Sequence, residues 1–89
     1  MMRAKAYPGN WSKELQDFTR TMLKEGDFFL LPGDRLGIVM KARDGRFGWI
    51  SGSDLINERW RIRPLDDEED WEEEFESIDA LHEAGWVVD

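Results

Sequence analysis

All 12 lysines and arginines of this 89-residue chain lie at or before Arg63, and nothing basic follows. Residues 1–65 set those 12 bases against eight acids, a balance of +4, whereas residues 66–89 hold the other 12 acids and no base, a balance of −12. The net charge of −8 is therefore divided between a basic body and an acidic tail. Such a tail must lie in water, pair with the body, or meet a cationic surface outside the chain.

The length suits one domain, residues 1–89, and a chain of this size buries only about 60–65 % of the surface its unfolded form exposes. Five Trp, five Phe and one Tyr enlarge the small core, because each buried aromatic removes roughly 150–250 Å² from water. The absence of cysteine excludes disulfides, thiol nucleophiles and thiolate zinc sites. The segment MMRAKAYPGN lacks the apolar run of a secretion signal, and FFLL at 28–31 is far too short to cross a bilayer. The expected location is the cytoplasm, with no membrane partner.

Tyr7-Pro8-Gly9-Asn10 reads as a turn, after which Trp11, Leu15, Phe18 and Met22 fall at i, i+4, i+7 and i+11. That spacing predicts a helix over about 11–25, with Asn10 or Ser12 as N-cap and Gly26 in the left-handed terminating position. The period then shortens. FFLL at 28–31, LGIVMKA at 36–42 and FGWI at 47–50 read as strands, with Asp44-Gly45 as a hairpin turn. Arg59-Trp60-Arg61-Ile62-Arg63 alternates charged with apolar residues and predicts a half-buried strand, Trp60 and Ile62 facing in. Asp66 and Glu69 have capping-pair spacing, and Trp71, Phe75, Ile78 and His82 repeat the stripe of the first helix, predicting a second helix over about 67–84. Trp86-Val87-Val88 would dock as a short strand or cover the core.

The fold expected is thus α+β in the order helix, small bent antiparallel sheet of three to five strands, acidic C-terminal helix. The core expected is Trp11, Leu15, Phe18, Met22, Leu30, Ile38, Met40, Trp49, Trp60, Ile62, Trp71, Phe75 and Ile78.

Nine of the eleven residues from Asp66 to Glu76 are carboxylates. On a helix, Glu68 with Glu72, Glu69 with Glu73, and Glu72 with Glu76 would be like-charge i, i+4 pairs, each unfavourable by roughly 0.2–0.5 kcal/mol. A cation from elsewhere would relieve them. Asp66, Asp67, Glu68, Glu69, Asp70, Glu72, Glu73 and Glu76 are therefore the candidate surface for a basic protein partner. One form of that reading is an inhibitor of a nucleic-acid-binding protein, the carboxylates standing in for phosphates. The bland reading is a solvated acidic face.

Arg59, Arg61 and Arg63 support the alternative of direct nucleic-acid binding, their spacing of about 6–7 Å on one strand face matching a phosphate backbone. A third reading pairs these arginines with the acidic segment of the same chain, and a fourth makes the chain a structural accessory subunit of an assembly.

Gly33-Asp34, Asp44-Gly45, Gly48-Trp49-Ile50 and Leu55, within residues 32–55, resemble the second half of a bacterial SH3-like domain. The resemblance implies a strongly bent sheet or partial barrel that binds peptides or other ligands, and no activity. Nothing else points to catalysis. The single histidine, His82, falls within the apolar stripe, where a hydrogen-bonded structural role is expected, and no calcium-loop or phosphate-loop pattern accompanies the carboxylates. The chain reads as a non-enzymatic binding module without cofactor or metal.

Overall fold

Ser12 and Gly26 set the ends of the first helix. In the computed structural model, which describes residues 10–89, the Ser12 hydroxyl accepts from the Leu15 amide and Gly26 adopts φ 69° beyond the last turn of α1 (Lys13–Glu25). Of the turn expected at Tyr7-Pro8-Gly9-Asn10, only Asn10 is among the described residues. The buried face of α1 is Thr19 and Leu23, flanked by Leu15 and Met22. Phe18, expected within the stripe, is 55 % exposed. The stripe is rotated because Thr19 is recruited to it: its hydroxyl donates to the Leu15 carbonyl at 2.8 Å and accepts from the Val88 amide at 3.1 Å. A hydroxyl with both roles filled can be buried without loss.

After Gly26 the chain forms β1 (Phe29–Leu31), β2 (Arg35–Ala42), β3 (Phe47–Ser51), α2 (Gly52–Ile56) and β4 (Trp60–Pro64). Then come β5 (Glu73–Phe75), α3 (Ile78–Glu83) and β6 (Trp86–Val88). The sheet is antiparallel, in the order β1-β2-β3-β4-β5, with β6 also paired to β2. β1 and β6 share one edge of β2, since β1 faces residues 35–37 and β6 faces 40–42 while β3 occupies the other edge. The fold is therefore α+β, with six strands and three helices among the described residues.

Two glycines allow strands to meet where no side chain fits. A Cβ on Gly37 would lie 2.3 Å from the Ile50 carbonyl oxygen, and one on Gly48 would lie 2.5 Å from Ile62 Cγ2. Around this crossing Ile38, Met40, Ala42, Ile50, Leu55, Trp60, Ile62, Ile78, Leu81, Trp86 and Val88 form the core with Leu23. Trp49 is buried as expected, whereas Leu30 is exposed and Trp11 only half-buried. Trp11 still ties the chain together, its indole N–H donating to the Gly85 carbonyl at 2.7 Å.

The acidic C-terminal helix expected over 67–84 is the main correction. Helix is confined to Ile78–Glu83, and the carboxylates occupy a turn and β5 instead. In a strand, neighbouring side chains point to opposite faces, so Glu73 reaches Arg46 while Glu74 reaches Arg59. Each gains a cation that the helical arrangement, with its like-charge pairs, would not supply. Ser77 then caps α3, accepting from the Ala80 amide at 3.0 Å. No helix among the described residues is long and apolar enough to cross a membrane.

Candidate functional site

The Asp44-Gly45 turn between β2 and β3 borders a cleft. Asp44 accepts from the Arg46 backbone amide at 3.0 Å and from its Nε at 2.8 Å. Held this way, the Arg46 guanidinium lies 4.9 Å from the Trp71 ring and 5.2 Å from the Trp86 ring. Its Nη1 donates to Glu73 at 3.0 Å, and the other Glu73 oxygen accepts from Trp86 Nε1 at 3.0 Å. Burial works against the Arg46 charge, but Glu73 and Asp44 outweigh it and hold the group above its ordinary pKa. One arginine thus fastens β5 to the sheet, its charge balanced by Glu73 and Asp44.

Phe47, the first residue of β3, remains 48 % exposed. With Leu65 it forms the apolar part of a cleft of about 550 Å³ completed by Asp44, Gly45, Arg46, Asp66 and Glu69. The Leu65 amide donates to the Phe47 carbonyl at 3.3 Å, and the Glu68 amide to Asp66 Oδ1 at 2.9 Å. Trp71 Nε1 donates to Glu69 at 2.9 Å. The rim carboxylates are therefore set on a hydrogen-bonded turn.

The eight acidic candidates divide into two groups. Glu72 lies 3.9 Å from Arg61 and 3.8 Å from Arg63, Glu73 binds Arg46, and Asp67 lies 3.4 Å from Arg35. Asp66, Glu68, Glu69, Asp70 and Glu76 make no ion pair among the described residues. Four of these five fall within the turn 66–70 beside the cleft.

The arginine strand is occupied from within. Arg59 makes a two-pronged contact with Glu74 at 3.1 and 3.0 Å, and Arg61 grips the buried Asp54 at 3.1 and 3.2 Å. Hydrogen bonding to Arg59 lowers the Glu74 pKa, and the same contact raises that of Arg59. A phosphate backbone would have to displace these carboxylates. Sequence reasoning overlooked Glu74, Asp54 and the Phe47–Leu65 pair. The alternation of FGWI, which turns Phe47 out as Gly48 packs in, is the signal that was available for the last of these.

Among the described residues no three His or carboxylate groups converge to hold a metal ion. His82 is buried, yet its Nε2 has no hydrogen-bond partner among them, contrary to the bonded role expected. Burial lowers its pKa below the ordinary imidazole value of 6.5, nearby Arg20 adds to this, and Asp79 and Asp17 oppose it. Lowered in the fold, the imidazole takes up its proton more readily when unfolded, so stability should be lost as pH falls below about 6.5 and through the folded value. Urea denaturation at pH 7 and pH 5 checks this: the wild type should lose stability over the interval, and His82→Leu should lose less.

Comparison with protein-family models, curated protein sequences and solved structures gives no match to this chain.

Proposed function

We propose that the chain is a non-enzymatic protein-binding module that receives a basic segment of a partner protein on the acidic turn 66–70 and the cleft beside it. The observation that carries this reading is the cleft itself, where exposed Phe47 and half-buried Leu65 lie among Asp44, Asp66 and Glu69. An aliphatic side chain seated on Phe47 would bring flanking Lys or Arg groups to the rim, combining apolar burial with charge attraction. The carboxylates stand on a turn and not along a helix, so they support a short basic segment better than imitation of a phosphate row.

NMR titration with a short peptide carrying one leucine between two arginines tests this. Amide shifts should concentrate at residues 44–47 and 65–70, and affinity should fall as salt rises. Phe47→Ala combined with Glu69→Gln should weaken binding about tenfold, equivalent to roughly 1.4 kcal/mol. Arg59→Gln should leave it unchanged. Titration with an oligonucleotide that instead shifts β4, and is abolished by Arg59→Gln and Arg63→Gln, would establish the nucleic-acid alternative.

A further inference from the structure

Among the described residues, the β1 edge of the sheet is apolar and uncovered. β1 ends the five-strand path, and Leu30 stands opposite Leu36 in its pairing with β2. Leu36 belongs to the face that continues into buried Ile38 and Met40, yet Leu30 is 70 % and Leu36 53 % exposed. The neighbouring α2 is short. Five residues long, it covers the sheet with Leu55 and then ends, leaving Ile56 70 % exposed. The Phe28 ring packs over Gly52, where a Cβ would meet it at 3.3 Å. Phe28, Leu36 and Ile56, with Gly52, Ser53 and Asn57, line a groove of about 280 Å³. Aliphatic residues grouped at an open strand edge mark a place where another chain adds.

The exposed charges that adjoin these groove segments along the chain indicate what kind of chain. Asp27, Asp34 and Glu58 adjoin the groove segments in sequence and make no ion pair among the described residues. Arg35, the cation of the β1–β2 hairpin, is turned away, 5.1 Å from the Trp49 ring and 3.4 Å from Asp67. We infer that this groove docks an extended segment of a partner protein, which pairs with β1 and carries aliphatic side chains flanked by Lys or Arg. A second copy of the chain would bring the same exposed carboxylates and a further net charge of −8, opposing association. The surface is separate from the acidic cleft: Leu36 lies next to the Gly37–Ser51 end of the β2–β3 pairing and Phe47 at its other end, opposite Lys41. Both can be filled at once, so the domain can join two segments.

The probe is a six-residue peptide alternating lysine with valine, compared with one alternating lysine with serine. The valine peptide should shift the amides of residues 28–31, 36 and 56, and the serine peptide should not. Leu36→Asp should weaken that binding at least tenfold, with circular dichroism unchanged, and Phe47→Ala should not affect it. Leu30→Lys provides a second variant should Leu36→Asp fail to fold. Shifts confined to the turn 66–70 would overturn the inference while leaving the acidic cleft standing. Concentration-dependent dimerisation abolished by Leu30→Lys would overturn it in favour of a second copy, and tighter peptide binding after removal of residues 1–9 would assign the groove to the chain's own N-terminal segment.

Discussion

Replacing Trp86 with alanine should destabilise the protein by about 3–5 kcal/mol, a large share of the roughly 5–15 kcal/mol that holds a small domain folded. Trp86 is fully buried on β6, opposite Ala42, with its ring 5.8 Å from that of Trp71. Its loss would leave a cavity where β6, β2 and β5 meet. It would also remove the ring beneath Arg46 and the N–H that holds Glu73. Two elements should loosen together. Urea denaturation followed by circular dichroism measures the effect, and Trp86→Phe should recover most of it by refilling the space. A Trp86→Ala protein that unfolds at the wild-type urea concentration would show that β6 is not part of the cooperative core.

The same residue shows what could be read from the sequence. Trp86 follows Gly85 and precedes Val87-Val88, a run recognisable as a docking strand, but nothing local indicates that it pairs with β2, more than forty residues earlier. The first helix, the β2–β3 hairpin and the arginine strand were legible because each follows a period or a turn signal contained within its own residues. β5 was not. Trp71, Phe75, Ile78 and His82 fit a helical period well, and only Ile78 and His82 lie on a helix. The spacing was satisfied by chance, because the carboxylates between these residues are drawn to Arg46, Arg59, Arg61 and Arg63 from elsewhere in the chain. Long-range charge pairing overrode local periodicity.

The proposed binding surfaces were legible to a similar degree. Charge segregation located the acidic segment, and its pairing with the arginine strand was one of the readings it allowed. What it left open was which carboxylates remain unpaired, since that depends on strand register. Glu73 and Glu74 are consumed because β5 places them against Ile62 and Arg61, whereas Asp66, Glu68, Glu69 and Asp70 precede the strand and remain outside. The apolar groove was hidden for a different reason. Leu30 alternates within an apolar run like a core residue, and nothing in that run indicates that no element packs over it among the described residues.

Asp54→Asn should cost about 2–4 kcal/mol, because removing one member of a buried ion pair leaves the other charge without compensation. Asp54 sits in the first turn of α2, where its amide donates to the Ser51 hydroxyl at 3.1 Å and its carbonyl accepts from the Arg59 amide at 2.8 Å. Its carboxylate is buried against Arg61, whose side chain retains 20 % exposure, and that exposure keeps the effect toward the lower end of the range for buried pairs. Asparagine preserves the shape and the backbone contacts, so the loss reads out charge. Glu72, 3.9 Å from Arg61, is too distant and too exposed to replace it. Replacing both partners, Asp54→Leu with Arg61→Met, should recover stability to within about 1 kcal/mol of wild type, since no unpaired charge then remains. Thermal or urea denaturation of the single and double variants separates the cases. Equal losses in both would mean that packing at α2, and not the ion pair, holds this corner together. If Asp54→Asn also conferred salt-sensitive oligonucleotide binding that the wild type lacks, the internal carboxylates would be what keeps the arginine strand from phosphate.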